Sequence, residues 1–203
     1  MHERWLAKQT FNHPAQQIVF QDHLEVINAA QVRLAALEQQ LREIVPTWTM
    51  APVVAAYQAL RGVSFLVAVT FVAEVGDVRR FANPQQLMAF LGLVPSERTT
   101  GDTVRRGSIT KTGNHRARRV LIEGAWTYRY SARVGETLRS RLKDLPLSVR
   151  SIAWKAQVRL CARYRRLIAE GKKPPVAATA IARELAAFLW AIGQQVAPQA
   201  PAT

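Results

Sequence analysis

Residues 92–121, GLVPSERTTGDTVRRGSITKTGNHRARRVL, decide how the rest of the chain is read. Hydroxyls, glycines and cations crowd this stretch, and its only acids are Glu97 and Asp102. No apolar/polar alternation of the kind that marks a half-buried strand runs through it. It reads as a loop through Gly113, followed by a helix from Asn114, a good N-cap residue, to about Val134. With helical periodicity on both sides of it, the expected fold class is all-α.

On the N-terminal side, residues 16–45 lack Gly and Pro. They repeat apolar residues at helical intervals: Phe20, Leu24, Ile27, Leu34, Leu37, Leu41 and Ile44. This is a long amphipathic helix that Pro46 ends. Gln31 and Glu38 interrupt its seam, so pairing with another chain as a coiled-coil arm and packing on its own domain both stay open. Pro52 then opens a helix, Leu60-Arg61-Gly62-Val63 makes a turn, and a second helix covers about Ser64 to Val75. Gly76-Asp77 turns the chain again, and Asn83-Pro84 starts a third helix that stops near Gly92 and Pro95. Helix, glycine turn, apolar helix over 52–95 is the order of a helix-hairpin-helix, in which backbone N–H groups near Gly62 face a phosphate. An ordinary helical hairpin in a core has the same pattern.

Beyond Pro146, SVRSIAWKAQVRLCARYRRLIAEGKK turns Ile152, Ala156, Leu160, Tyr164 and Leu167 toward a core, with Lys155, Arg159, Arg163 and Arg166 near the other side. An apolar helix over about Val176–Val196 closes the bundle. The expected organisation is an arm over 1–46, a helical domain over 47–197 and a disordered tail over 198–203.

Lys and Arg number 28 against 14 Asp and Glu, a formal charge of +14 on 203 residues, of which 49% are apolar. Such a chain builds a core, and its excess charge calls for a polyanion; nucleic acid is the expected partner. A membrane is not expected, because the longest apolar run, Val63 to Val75, is short of the ~20 residues that span a bilayer. The first residues, MHERWLAKQTFNHPAQ, lack the pattern of a signal peptide, so the expected location is cytoplasmic. Cys161 is the only cysteine, and His2, His13, His23 and His115 have no metal-ligand spacing.

Within the central stretch Arg98, Arg105, Arg106, Lys111, Arg116, Arg118 and Arg119, spaced by Gly101, Gly107 and Gly113, suit a nucleic-acid backbone. A solvated basic loop has the same composition. Thr99, Thr100, Ser108 and Thr110 supply hydroxyls beside those cations, as a covalent phosphoryl-transfer site requires, though most loop hydroxyls only cap turns or bind phosphate. Glu74, Asp77, Glu97 and Asp102 do not make the set of a two-metal nuclease.

The block FANPQQLMAFLGLVPSERTTGDTVRRGSITKTGNHRARRVLIEGAW resembles the C-terminal transposase domain of the insertion-sequence family called IS one-ten, with its eleven-eleven subgroup. The matching pieces are Gly92-Leu93-Val94-Pro95, Thr100-Gly101, Gly107 through Asn114, and the Arg-rich run Arg116 to Arg119. The opening RWLAKQTFNHPAQQIVFQDHL and the downstream IAWKAQVRLCARYRRLIAEGKK look similar to the subgroup too. The resemblance implies a site-specific DNA recombinase guided by a structured RNA, with a composite site. A RuvC-like domain with an Asp-Glu-Asp-Asp set binds Mg2+, and a serine of the C-terminal domain attacks DNA. It also implies that the arm is a coiled coil mediating dimer contacts.

Here Thr100 takes the serine position, with Thr99 as the less favoured neighbour; the added methyl restricts the rotamer and crowds the approach to phosphorus. The acidic domain lies outside this chain, so no cofactor is expected within it, and the chain alone is expected to bind DNA without cutting it. Gly62, Gly101, Arg105, Arg106, Gly107, Lys111, Gly113, Asn114, Arg116, Arg119, Lys155 and Arg159 are the expected nucleic-acid-binding residues. The expected partners are DNA, a structured guide RNA, a second copy through the arm, and a separate acidic domain or full-length recombinase. The rival readings are a non-catalytic fragment that binds or dimerises and thereby modulates a full-length recombinase, and a general helix-hairpin-helix DNA-binding protein.

Overall fold

The computed structural model describes residues 5–6, 8–97 and 106–199, and the chain divides into two units, Met1–Pro46 and Thr47–Thr203. The first is dominated by helix α1 (Pro14–Ile44). Proline suits the first helical position, and His13 Nδ1 caps the helix by accepting the Ala15 N–H at 3.2 Å. Helix α1 buries none of its residues; Ile27, Leu34 and Leu37 are each about half exposed. Past Ile44 the chain tightens into a 3-10 turn over Val45–Thr47, around a proline that has no N–H to continue the helix.

The second unit runs α2 (Ala51–Tyr57), α3 (Phe65–Val75), a 3-10 turn over Val78–Arg80, α4 (Pro84–Phe90), strands β1 (Pro95–Glu97) and β2 (Arg106–Ile109), and α5 (His115–Ala125). A 3-10 turn over Trp126–Arg129 then leads to α6 (Glu136–Leu142), α7 (Leu147–Ala169) and α8 (Pro174–Gly193). Starts and stops follow local chemistry. Ser64 Oγ and Asn83 Oδ1 accept first-turn N–H groups of α3 and α4, and Gly171 at φ +77° ends α7. The fold is mostly α.

Helix α8 is the centre of this unit, packing on α7, α5, α4 and α2. Its buried face alternates small and large residues, Ala178, Ile181, Ala182, Leu185, Leu189 and Ile192, so neighbouring helices approach closely where alanine stands and leucines fill the gaps. Each fully buried Leu or Ile contributes about 1.5–3 kcal/mol. By length and composition α8 could cross a membrane, but half of its apolar span is buried in the core. Its apolarity is that of a core helix. Trp190 is anchored there by its indole N–H donating to Phe81 O at 2.9 Å, and buried Gln157 of α7 is satisfied by donating to Arg133 O at 2.6 Å.

Three features differ from the sequence reading. The stretch expected as loop contains β1 and β2, paired antiparallel with Pro95 opposite Ile109 and Glu97 opposite Arg106 across an irregular register. Helix α5 ends at Ala125 instead of near Val134. There Gly124 lies against the Gly62 backbone, and Thr127 Oγ1 donates to Gly124 O at 2.8 Å, so the chain tightens into the 3-10 turn. Helix α6 was not expected at all. In α7, Val149, Ala153, Gln157 and Cys161 join the expected Ala156, Leu160 and Tyr164 in the core, while Ile152 and Leu167 are half-buried.

The Gly62–Gly124 crossing has no room for a methyl group. Gly62 adopts φ +79°, and a Cβ on Gly124 would stand 2.5 Å from Gly62 O. Gly124→Ala is therefore expected to destabilise the unit by about 1–3 kcal/mol, a fall in Tm of roughly 3–10 °C. An unchanged melting temperature would show that the two turns separate at little cost.

Candidate nucleic-acid interface

The basic stretch is organised by the end of α4. Gly92, at φ +63°, takes the left-handed position after the helix, where its N–H donates to Ala89 O at 2.9 Å and that of Leu93 donates to Met88 O at 3.0 Å, a Schellman ending. The three carbonyls that follow are taken up from further along the chain. Asn114 N–H donates to Phe90 O at 3.2 Å, Arg118 Nη1 to Leu91 O at 2.8 Å, and Lys111 N–H to Gly92 O at 3.1 Å. Thr110 N–H extends the ladder to Val94 O at 2.9 Å. Gly113 sits at φ +89° directly on the Phe90 carbonyl, where a side chain would collide, and a Cβ on Gly92 would meet Thr112 O.

Asn114 joins this clasp to the helix start. Its Oδ1 accepts the Ala117 N–H at 2.9 Å, capping α5, while its Nδ2 donates to Glu74 Oε2 at 2.7 Å. Glu74 Oε1 also receives Arg116 Nη1 at 3.3 Å. The Asn114 hydrogen bond, with Arg116 adding to it, holds the Glu74 carboxyl below the ordinary carboxylate range against a smaller opposing desolvation. A carboxylate at the last turn of α3 thus fixes the amide that starts α5.

The expected site residues fall into four groups. Gly107, Lys111, Gly113, Asn114, Arg116 and Arg119 gather around β2, the clasp and the first turns of α5, and Arg106 lies in β2 opposite Glu97. Lys111 is exposed and adopts φ +57°, the one positive-φ non-glycine among the described residues, and makes no ion pair there. Arg116 and Arg119 are exposed, Arg119 paired with Glu123 one turn on at 2.8 Å. Lys155 and Arg159 stand apart on α7, where Arg159 donates to Glu184 Oε2 at 2.9 Å. Gly62 belongs to the α2–α3 turn, and its close approach is made to Gly124 and Thr127 of the core, which accounts for the glycine by packing. Thr99, Thr100, Gly101 and Arg105 lie outside the described residues.

Beside the sheet a cleft of about 320 Å3 opens between Leu93, Pro95 and Ile109 and the first turns of α8, at Val176, Ala180 and Arg183.

Residues 55–141, which contain the whole clasp, match the model of the transposase IS116/IS110/IS902 family. Protein y4qE of Sinorhizobium fredii, named as a transposase, is 53% identical over 192 residues, which are 95% of this chain and 46% of that protein. The chain belongs to the transposase IS116/IS110/IS902 family. The transposase for insertion sequence element IS1533 of Leptospira borgpetersenii is 26% identical over 85% of this chain and 50% of its own length. The transposase for IS1111A of Coxiella burnetii is 41% identical over 68 residues, 34% of this chain and 19% of its own. The chain therefore spans about half the length of the first two of these family relatives.

The described residues do not fit the magnesium that the family resemblance implies. Among them no three His, Cys, Asp or Glu side chains gather. Glu74 is engaged by Asn114 and Arg116, and Asp77 by Arg79 at 2.7 Å. Two residues named in the sequence hold roles that it did not suggest. Arg118 is a cap for α4 rather than a free cation, and Glu74 lies 40 positions before the amide it orients. Only the Asn114 capping signal pointed toward them.

Asn114→Ala is expected to cost about 1 kcal/mol through the lost cap of α5, read as a lower midpoint in urea unfolding. Because the folded-state pKa of Glu74 is depressed, its contribution is present above the ordinary carboxylate value and is lost as pH falls through the lowered one. Glu74→Gln should melt below the parent at neutral pH and together with it in strong acid. A difference that persists in acid would exclude the carboxylate as its cause.

Proposed function

We propose that the chain is the nucleic-acid-binding part of an insertion-sequence transposase, and that DNA is held at the clasp and the start of α5. The observation that carries this reading is Lys111. A lysine in the left-handed region costs about 1–2 kcal/mol, and here it stands exposed, with no ion pair among the described residues, between two glycines that fix the backbone around it. Strain of this kind persists where the residue serves something other than stability. Arg116 and Arg119 extend the same surface, and backbone N–H groups at the start of α5 add favourable dipoles for phosphate. Arg105, Arg106 and Gly107 complete the phosphate contacts in this reading.

Two properties of Lys111→Gly then separate. The variant is expected to be as stable as the parent or more so, by up to about 1 kcal/mol. Its affinity for duplex DNA should fall, with the slope of log K against log salt reduced by roughly 0.9. Urea unfolding and anisotropy titrations at several salt concentrations measure both; unchanged DNA affinity would count against the proposal.

In the reaction Thr100 would hold the attacking position. Its Oγ1 would give up its proton and form a bond to phosphorus as one bridging P–O bond of the DNA strand breaks, the departing sugar oxygen taking up a proton. The metal-binding half of the site is assigned to a separate RuvC-like domain. Supplied with that domain, Thr100→Ser should give more covalent protein–DNA product than the parent and Thr100→Ala none; equal product from all three would remove Thr100 from the mechanism.

A second reading, a fragment that dimerises with and interferes with a full-length recombinase, is favoured by α1, whose apolar residues are all unburied. Mixing the chain with a complete relative distinguishes the two. Lost recombination with subunit exchange supports interference, and restored recombination of a nucleophile-deficient relative supports complementation.

A further inference from the structure

Helix α7 carries Arg150, Lys155, Arg159, Arg163, Arg165 and Arg166 and no acidic residue over its 23 positions. Two of these cations face a carboxylate of the adjacent helix: Glu184 of α8 receives Arg159 at 2.9 Å and also Arg163. Arg166 reaches Glu170 at 3.6 Å. Arg150, Lys155 and Arg165 are exposed and make no ion pair among the described residues. At 100° per residue, Arg150, Trp154, Val158 and Arg165 lie along one stripe, with Lys155, Arg159 and Arg166 on the adjoining one. Trp154 is 49% exposed and Val158 45% exposed. One side of Trp154 lines a small cavity with Leu138 and Leu142 of α6, and the rest of it is open to solvent, with Arg150 in its own stripe and Lys155 in the adjoining one.

We infer that this face of α7 binds a single-stranded nucleic acid, stacking an unpaired base on Trp154 while Arg150 and Lys155 hold the phosphates beside it and Arg165, about 16 Å along the helix, holds one further down the strand. The inference rests on the nucleic-acid-binding reading above and assigns a second surface, distinct from the clasp, with a different preference. Charge selects the partner, because a stripe with cations along it and in the one beside it, and no acid of its own, suits a polyanion. The indole selects the form of that polyanion. The bases of a duplex are stacked on one another and leave Trp154 without a partner, whereas an unpaired base offers its π-face. An acidic protein would satisfy the cations but gives the indole no specific role. An anionic membrane surface is the remaining alternative, since basic amphipathic helices with an exposed Trp also bind headgroups.

The test uses the whole chain and three labelled probes, oligothymidylate and oligouridylate of about 15 nucleotides and a duplex of similar length, read by anisotropy. Trp154→Ala is expected to weaken both single strands about tenfold and to leave the duplex within roughly twofold. Trp154→Phe should recover most of the loss, and Arg165→Gln should lower the single-strand salt slope by about 0.7. The ratio of the two single-strand affinities tells DNA from RNA. The inference is overturned if the parent binds no single strand, if Trp154→Ala leaves single-strand binding intact, or if it weakens duplex equally in a variant that melts like the parent. It is also overturned if Trp154 governs binding to phosphatidylserine vesicles instead. Failure of the parent to bind duplex is a separate result, and it counts against the clasp proposal alone. Because Phe and Gln are conservative at these half-exposed and exposed positions, the outcome does not depend on the alanine variant folding.

Discussion

Everything around the basic stretch depends on the fate of three carbonyl groups. A helix leaves its last carbonyls without partners, and a short helix such as α4, seven residues long, has few other bonds to spare. Phe90, Leu91 and Gly92 find their donors in Asn114, Arg118 and Lys111, so the end of α4 and the start of α5 are one hydrogen-bonded structure. The two glycines follow from this. Gly92 turns the chain and Gly113 lies flat on the Phe90 carbonyl, neither leaving space for a side chain. The bonds also set which cations reach solvent. Arg118 is consumed in capping, while Lys111, whose N–H is committed to Gly92 O, presents an exposed ammonium with no ion pair among the described residues.

The scarce acids are used in a similarly economical way. Glu74 orients Asn114 and Arg116, Asp77 holds Arg79, Glu123 holds Arg119, and Glu184 gathers Arg159 and Arg163 between α7 and α8. Most of these pairs are exposed and worth little to stability on their own. Their effect is to aim particular guanidinium groups, leaving an unpaired surplus on the clasp and on one face of α7. Lys111 on the clasp and Arg150, Lys155 and Arg165 on α7 thus stand in surroundings of different chemistry, one framed by glycines and backbone, the other by an indole.

How much of this was legible in the sequence follows the range of each interaction. Ser64, Asn83-Pro84, Gly92 and Asn114 announce helix ends because a cap is a bond between residues two or three apart. Strands β1 and β2 were not legible, being three and four residues long and bracketing a polar segment with no alternation. Each is held less by its own propensity than by the ladder that continues into Thr110 and Lys111. Gly62 was read as open to phosphate because its sequence neighbours allow that; its contact with Gly124 is a meeting of two turns 62 positions apart, with no local trace. Glu74 was legible only as a helix-end residue. The Thr99–Thr100–Gly101 group rests on the resemblance, since it lies outside the described residues.

The pairings of Pro95 with Ile109 and of Glu97 with Arg106 continue the bonds that Phe90, Gly92 and Val94 make to Asn114, Lys111 and Thr110, so one ladder joins the end of α4 to the start of α5. The two helix ends are mechanically a single piece. A sequence change at one of them is therefore answerable to the other, and Gly92, Gly113 and Asn114, though 21 and 22 positions apart in the chain at most, are bound to vary as a set.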